Sequence, residues 1–326
     1  MTKFRSAAGL VAACAAVSMS WTSIATAETR VTLKSAAAES SYYVMMVQLA
    51  EMIGDASEGS VLPTVEESQG SVQNVRESAQ RPGAFLFTTP PSLVDAAWQG
   101  NEPFDDGGDY SGIRTLFPMP FVTIHFVVRA DSGIESVSDL AGTTFMAGGV
   151  GTFCHGRTAA ILDILGLSEE VETPDMELSG APAAIRNRQV DGYATCSSHP
   201  TPQLQELATT VDLRILSFTE EERAALMEQD PMSGPITIAA GTYSGQDADI
   251  ETVGVPVGAY AVNMDDATAE LIVSQFWDQR EGLAEENPWW AGVSPDLTGQ
   301  LLAPLHPGVV AYYEEAGVDI PDHMTE

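Results

Sequence analysis

The sequence predicts an α/β protein with two domains that face each other across one cleft. Short β-branched and apolar runs alternate with segments of helical periodicity, a pattern typical of α/β folds with largely parallel sheets. The order strand, small-residue loop, helix, strand occurs twice along the chain. Because these loops follow the carboxyl ends of strands, two such units can place them around a shared crevice.

The first unit begins with a strand at 30–33 and a helix from Ser41 to about Ile53, with Ser40 or Ser41 as its cap. Helical spacing predicts that the buried face of this helix is formed by Tyr43, Met46, Val47, Ala50 and Ile53. A second strand, at 84–87, follows the turn Arg81-Pro82-Gly83. The first unit is therefore expected to end its strands in hydroxyl-bearing residues.

The second unit begins with a strong strand at 125–129. A short strand at 144–147 then leads through the glycine-rich loop 148–152 into a helix from about Cys154 to Leu165. Pro182 fits the first turn of another helix, which precedes a strand at 189–195.

Two extended segments, near 124–130 and 252–262, are predicted to cross between the domains as hinges. Domain I is then discontinuous, with residues 28–124 plus 258–326, and domain II comprises residues 125–257. We expect no single sheet to run through both domains.

Residues 1–27 have the pattern of a cleaved signal peptide. Lys3 and Arg5 precede the apolar run 7–19, which is too short to span a bilayer, and Ala25-Thr26-Ala27 fits the cleavage pattern. The alternative is a lipoprotein signal with an acylated Cys14. Cleavage after Ala27 leaves 299 residues, enough for two domains, and predicts export to the periplasm.

The charge of the chain excludes several partners. Without Lys3 and Arg5, twelve basic residues remain against 46 acidic ones, a net charge of −34. Nucleic acid and anionic membrane surfaces repel such a chain, so we expect no nucleic-acid partner. The sequence contains no P-loop or dinucleotide fingerprint and no calcium loop, and we predict no cofactor and no catalytic residue.

The predicted mature chain contains two cysteines, Cys154 and Cys196. An even pair in an oxidising compartment predicts one disulfide. Two separate buried thiols are the alternative. A zinc site that adds His155 and His199, or a cysteine nucleophile, is a further interpretation that the spacing does not favour.

Hydroxyls and amides that follow the predicted strands are the candidate ligand donors, because a small acid needs donors that replace its lost water. His155 and Arg157, in the second domain's helix, are added as candidates, the arginine to reach a carboxylate. The full predicted set is Ser40, Ser41, Tyr42, Ser71, Thr88, Thr89, Gly151, Thr152, His155, Arg157, Thr195, Ser197 and Ser198.

Five segments, in order along the chain, carry a resemblance to a known family. They are Ser41-Tyr42-Tyr43, Gly70-Ser71-Val72-Gln73-Asn74-Val75-Arg76, residues 127–134 with Asp139-Leu140-Ala141-Gly142, residues 240–247, and Leu305-His306-Pro307-Gly308. Together they resemble the TAXI family of substrate-binding proteins from tripartite ATP-independent periplasmic (TRAP) transporters.

The resemblance implies a periplasmic-binding-protein-like (Venus-flytrap) fold, with a ligand held between the domains and delivered to TRAP membrane subunits, expected as a fused permease. It also implies a small organic acid or amino acid as ligand, because relatives bind glutamate or 2-oxoglutarate-like acids. The alternatives are a receptor that feeds a sensor kinase, and a periplasmic hydrolase or metalloenzyme.

Two departures from the family pattern fall at the expected ligand site. The first loop, usually glycine-rich, is Ser35-Ala36-Ala37-Ala38-Glu39-Ser40 here. The second loop, usually Gly-Ser-Gly-Thr, continues Gly151-Thr152-Phe153-Cys154-His155. The resemblance therefore predicts the transport role more firmly than it predicts the ligand.

Overall fold

A computed structural model describes residues 28–325, which form a mixed α/β structure around one nine-stranded sheet. The strands are β1 (Thr29–Lys34), β2 (Val61–Glu66), β3 (Ala84–Thr89), β4 (Arg114–Arg129), β5 (Phe145–Met146), β6 (Gly192–Ser197), β7 (Leu213–Ile215), β8 (Gly234–Ile238) and β9 (Ile250–Val262). The main path of the sheet is β2-β1-β3-β9-β4-β6-β5, with β7 paired to β4 and β8 paired to β9. The α/β prediction is confirmed.

The two longest strands, β4 and β9, are antiparallel neighbours, and each of them extends from one group of strands into the other. The last residues of β9, 258–262, pair with β3, whereas its first residues, 250–254, pair with β8. In β4 the register with β9 is irregular between Met119 and Val122, and residues 123–128 beyond this point pair with β6. We call the part built on β1–β3 the first lobe and the part built on β5–β8 the second lobe.

This arrangement corrects two expectations. The ladder is continuous through both lobes, so the expectation that no single sheet spans them is wrong; the crossing strands pair with each other and thereby join the two strand groups. The sheet is also not largely parallel. Parallel pairing is confined to β1 with β2 and β3, and to β5 with β6, among the named strands of residues 28–325. The division into domains I and II remains a prediction, and the proposed signal peptide, 1–27, lies outside the described residues.

Nine α-helices cover the sheet within the described part of the chain. They are α1 (Ser41–Ala56), α2 (Ser71–Ser78), α3 (Pro91–Gln99), α4 (Phe153–Ile164), α5 (Ala181–Arg186), α6 (Pro202–Ala208), α7 (Glu220–Gln229), α8 (Asp266–Glu286) and α9 (Pro307–Glu315). None of the helices found in residues 28–325 combines the length and the apolar composition needed to cross a membrane.

The first helix shows how local sequence sets an element. Ser40 lies in extended backbone and its hydroxyl accepts a hydrogen bond from the amide of Tyr42, so it caps α1 as predicted. The buried face, however, is one residue out of register with the prediction. It is formed mainly by Tyr42, Met45, Met46, Leu49, Met52 and Ile53, whereas Tyr43, Val47 and Ala50 are only partly buried.

The core of the first lobe is tied to the sheet by aromatic side chains. Phe276 of α8 stacks on Phe117 of β4, with ring centroids 4.0 Å apart, and Trp290 packs edge-on against Phe276. The indole of Trp290 is fully buried and donates a hydrogen bond to the side chain of Gln48 in α1. This packing holds α1 and α8 in place, and α1 in turn presents its first residues to the cavity described next.

Candidate ligand-binding site

A cavity of about 480 Å³ lies where strands of both lobes end and helices begin. From the first lobe it is lined by the residues after β1, by the start of α1 and α2, and by Thr88 near the end of β3. From the second lobe it is lined by the start of α4 and by the last residues of β6. Polar groups converge here because parallel strands end at one edge of a sheet and their following helices start there.

Seven of the predicted site residues line this cavity, and they come from both lobes. They are Ser40, Tyr42, Ser71, Thr88, Thr152, Thr195 and Ser197. The hydroxyls of Ser71, Thr88 and Thr195 make no hydrogen bond to any residue in the range 28–325, so they are free to bind a ligand. The Tyr42 hydroxyl, in contrast, donates to the carbonyl of Pro120.

The two lobes touch directly beside this cavity. The Ser197 hydroxyl lies 2.7 Å from the Ser41 hydroxyl and 3.1 Å from the Ser40 hydroxyl. The amide of Gln203 also donates to the carbonyl of Glu39, at 3.3 Å. Hydroxyls of the first lobe and of β6 therefore hold the lobes together at the edge of the cavity.

The other six predicted residues do not line the cavity, and most of them have other partners. Ser41 and Thr89 are fully buried; Ser41 binds Ser197, and the Thr89 hydroxyl faces the carbonyl of Pro90. The Ser198 hydroxyl donates to the carbonyl of Phe121. Gly151 precedes the cap Thr152, and the amide of His155 donates to the Thr152 hydroxyl, but neither residue is in the cavity wall.

Arg157 is the clearest departure from the sequence-based prediction. It is only 9% exposed, and its guanidinium donates to Asp230 at 2.8 Å and to the Ser233 hydroxyl at 2.5 Å. Burial lowers the pKa of Arg157, and the charge of Asp230 opposes that shift. The arginine therefore anchors the turn after α7 to α4, and its charge is already paired.

The wall also contains residues that the sequence analysis did not select. Asn74, Thr201 and Ser35 are buried and line the cavity, as do the exposed carboxylates of Glu39 and Glu67. Asn74 belongs to the Gly70–Arg76 segment that carries the family resemblance, so this segment could have indicated it as a cavity residue. The two glutamates do not belong to the predicted set because an ionised carboxylate cannot donate a hydrogen bond to an acid.

The predicted disulfide is confirmed. Cys154, at the second position of α4, is bonded to Cys196 of β6, with their Cα atoms 5.4 Å apart, and both residues line the cavity. Because the two sulfurs are bonded to each other, the zinc and thiolate-nucleophile interpretations are not supported. Among residues 28–325 no group of three or more metal-binding side chains is clustered.

A buried hydrogen-bond chain supports the wall from behind. The Tyr243 hydroxyl accepts from the amide of Thr201 at 3.0 Å and lies 3.1 Å from Nε2 of His125. Nδ1 of His125 lies 3.1 Å from the carbonyl of Thr123, which can only accept, so this nitrogen carries the proton and Nε2 accepts from Tyr243. Tyr243, from the segment 240–247, thus fixes the position of Thr201.

The comparison with protein families decides the classification. The NMT1-like family matches residues 33–317. The chain belongs to the NMT1-like family.

Several solved structures are similar to this NMT1-like protein. The periplasmic binding protein BugD is similar over 90% of this chain and 98% of its own, with a TM-score of 0.53 and 13% identity. The histidine-bound substrate-binding protein of an ABC uptake transporter from Streptococcus pneumoniae matches 81% of this chain and 92% of its own, with a TM-score of 0.49 and 13% identity. The alkanesulfonate-binding protein SsuA from Xanthomonas axonopodis pv. citri, bound to MOPS, matches 89% and 91%, with a TM-score of 0.46 and 15% identity. The similarity to BugD confirms the periplasmic-binding-protein fold.

The disulfide is expected to stabilise this NMT1-like protein strongly. Replacing Cys154 and Cys196 together by serine frees a segment of 42 residues in the unfolded chain. On the chain-entropy model this lowers the free energy of unfolding by about 4 kcal/mol, which urea unfolding of oxidised protein would measure. Reductant should destabilise the wild type but leave the double serine variant unchanged. A loss below about 1 kcal/mol would contradict the prediction.

Stability is expected to fall in mild acid because of His125. Burial, followed by the nearby His199, lowers the pKa of His125 to about 3. The unfolded chain binds a proton on this ring near pH 6.5, whereas the folded state keeps it neutral, so the free energy of unfolding falls as pH drops from about 6.5 towards 3. This amounts to up to about 1.4 kcal/mol per pH unit.

Urea unfolding of His125→Gln at pH 7 and pH 5 tests this effect. The variant should lose about 2 kcal/mol less than the wild type between these two pH values, because it has no ring to titrate. His323→Gln, a histidine replacement outside the His125–Tyr243 chain, is the matched control. An unchanged pH dependence in His125→Gln would mean that other groups carry it.

Proposed function

We propose that this protein is a solute-binding receptor that captures a small organic acid or amino-acid-like molecule and delivers it to a membrane transporter. The observation that carries the proposal is the polar cavity between the lobes, to which both lobes contribute hydroxyls without partners. A receptor needs such a site because a bound polar molecule must replace the water it loses. The role proposed is binding and not catalysis.

Binding and release are proposed to follow from movement of the lobes about the two crossing strands. A ligand that bonds Ser71 and Thr88 on one side and Thr195 on the other favours the closed state, because only closure makes both sets of bonds. Each such bond contributes about 1 kcal/mol. The transporter then recognises the closed form.

The transporter is proposed to be of the TRAP type, with the protein as its TAXI receptor in the periplasm. The five family-like segments between Ser41 and Gly308 support this assignment. Residues 1–27 are proposed as the cleaved export signal. Two alternatives are an ABC-type permease and a sensor kinase, which would use the same closed receptor with another membrane partner.

Removal of the Ser197 hydroxyl is expected to open the ligand-free protein. The Ser197→Ala change deletes the contacts with Ser40 and Ser41, so the closed population falls, with about 1 kcal/mol lost for each bond. Small-angle X-ray scattering should then report a larger radius of gyration than for the wild type. Ser244→Ala, an exposed serine outside these contacts, is the matched control. Equal radii for Ser197→Ala and wild type would show that these hydroxyls do not hold the lobes together.

Uptake into vesicles tests the transporter type. Proteoliposomes with the membrane subunits encoded beside this gene should accumulate radiolabelled solute when the receptor and an ion gradient are present and ATP is absent. Uptake that requires ATP would replace the TRAP assignment by an ABC one. If no carboxylate, amino acid or sulfonate shifts the melting temperature of the receptor, the proposed capture function itself is wrong.

A further inference from the structure

The start of α2 is left open towards the cavity. Whereas Ser40 caps α1 and Thr152 caps α4 with their side-chain oxygens, the N-cap of α2 is Gly70, which has no side chain to do so. Within residues 28–325, the first three amides of α2, from Ser71 to Gln73, have no acceptor. A helix N-terminus with free N–H groups stabilises an anion such as a carboxylate.

Gly70 is required there by backbone conformation. Its φ is 107°, in the region that favours glycine, although a Cβ at this position would meet no other atom within 4 Å. The free space and the free amides lie at the same point of the wall. The Ser71 hydroxyl adds one more donor beside them.

Asn74 gives a second, independent indication of a ligand. Its side chain is 1% exposed and lines the cavity, and its Nδ2 donates to the carbonyls of Ser35 at 2.7 Å and Thr88 at 3.3 Å. These two acceptors fix the orientation of the amide. Its Oδ1 is then a buried acceptor with no donor among residues 28–325. Such an atom is costly unless a ligand supplies an N–H or O–H group.

The charged residues of the cavity wall limit which further charged groups a ligand can have. The charged side chains among the lining residues are the carboxylates of Glu39 and Glu67, and within the described chain no Lys, Arg or His lines the cavity. The buried ammonium of Lys34 is paired with Glu66 and Glu77. A second carboxylate on the ligand would therefore find no cation and would be repelled by the two glutamates.

We infer that the cavity selects a zwitterion, with one carboxylate on the open end of α2 and a neighbouring ammonium group donating to Asn74 Oδ1, and that it discriminates against dicarboxylates. An amino acid with an uncharged side chain has this chemistry. The inference rests on the proposed receptor function and narrows its ligand class.

Isothermal titration of the ligand-free receptor tests the inference directly. The probes are the uncharged L-amino acids, L-glutamate, 2-oxoglutarate, succinate, and the deaminated counterpart of the tightest amino acid. The best uncharged amino acid should bind at least about tenfold more tightly than each dicarboxylate and than its deaminated counterpart, which leaves Asn74 Oδ1 unpaired. If L-glutamate or 2-oxoglutarate binds tightest, the inference is overturned and the receptor function stands. If none of these probes binds and no sulfonate shifts the melting temperature, both the inference and the receptor function are overturned.

Two charge-matched double variants then separate the local effect of the wall from the charge of the whole protein. Glu39→Gln with Glu67→Gln should raise the affinity for L-glutamate about tenfold or more relative to an uncharged amino acid. Glu220→Gln with Glu221→Gln, on the exposed start of α7, removes the same charge away from the cavity and should leave the ratio unchanged. Equal ratios in the two variants would overturn the role of the wall glutamates. The unfolding midpoints of both variants confirm that each is folded.

Discussion

The antiparallel pairing of β4 with β9 is the constraint on which the rest of the structure depends. Each strand begins in one strand group and ends in the other, and the two run side by side through the boundary. The first lobe is thereby built from both ends of the chain, with α8 and α9 packed near α1. The two lobes share these strands, and the β4–β9 register is irregular at two places, between Thr115 and Phe117 and between Met119 and Val122.

The cavity wall formed by the second lobe is held in place by strand pairing, by the disulfide and by a buried hydrogen-bond chain. The end of β6 is aligned by β4, with Thr195 opposite His125 and Ser197 opposite Thr123. The disulfide then fixes Cys196 to the start of α4, and the Tyr243–His125 chain fixes Thr201. Three separate constraints therefore position one wall, and each restricts a different segment. A rigid wall lowers the entropy that is lost when a ligand is bound.

Much of this could be predicted from sequence because it depends on local rules. The strand, loop and helix order placed hydroxyls at the ends of strands, and the parallel strands β1, β2 and β3 bring Ser40, Ser71 and Thr88 to one edge. The disulfide was predicted from an even pair of cysteines in an oxidising compartment, and it forms because Cys154 begins a helix and Cys196 lies near the end of a strand at one edge of the second lobe. These positions follow from the order of strands, loops and helices in α/β units. They do not depend on contacts with residues far away in the sequence.

The features that were missed depend on partners far apart in sequence. The position of Arg157 one turn into α4 predicts a cavity residue. Its guanidinium is instead paired with the carboxylate of Asp230, 73 residues later in the chain. The face of α1 was displaced because it packs between the sheet and α8, and the sequence of the helix alone does not show where α8 lies. The continuous ladder likewise depends on β9, which returns to β4 after more than a hundred residues.

For the proposed receptor, the distribution of free polar groups favours an order for binding. The open amides of α2, the Ser71 and Thr88 hydroxyls and the acceptor Oδ1 of Asn74 all belong to the first lobe, and they are in position without any contribution from the second. The second lobe adds fewer free groups, chiefly Thr195, while Ser197 is engaged with Ser40 and Ser41. A ligand that first occupies the first lobe gains most of its hydrogen bonds before closure. In the proposed mechanism, closure then adds the Thr195 contact and the serine contacts between the lobes, so the motion that completes the site would also enclose it.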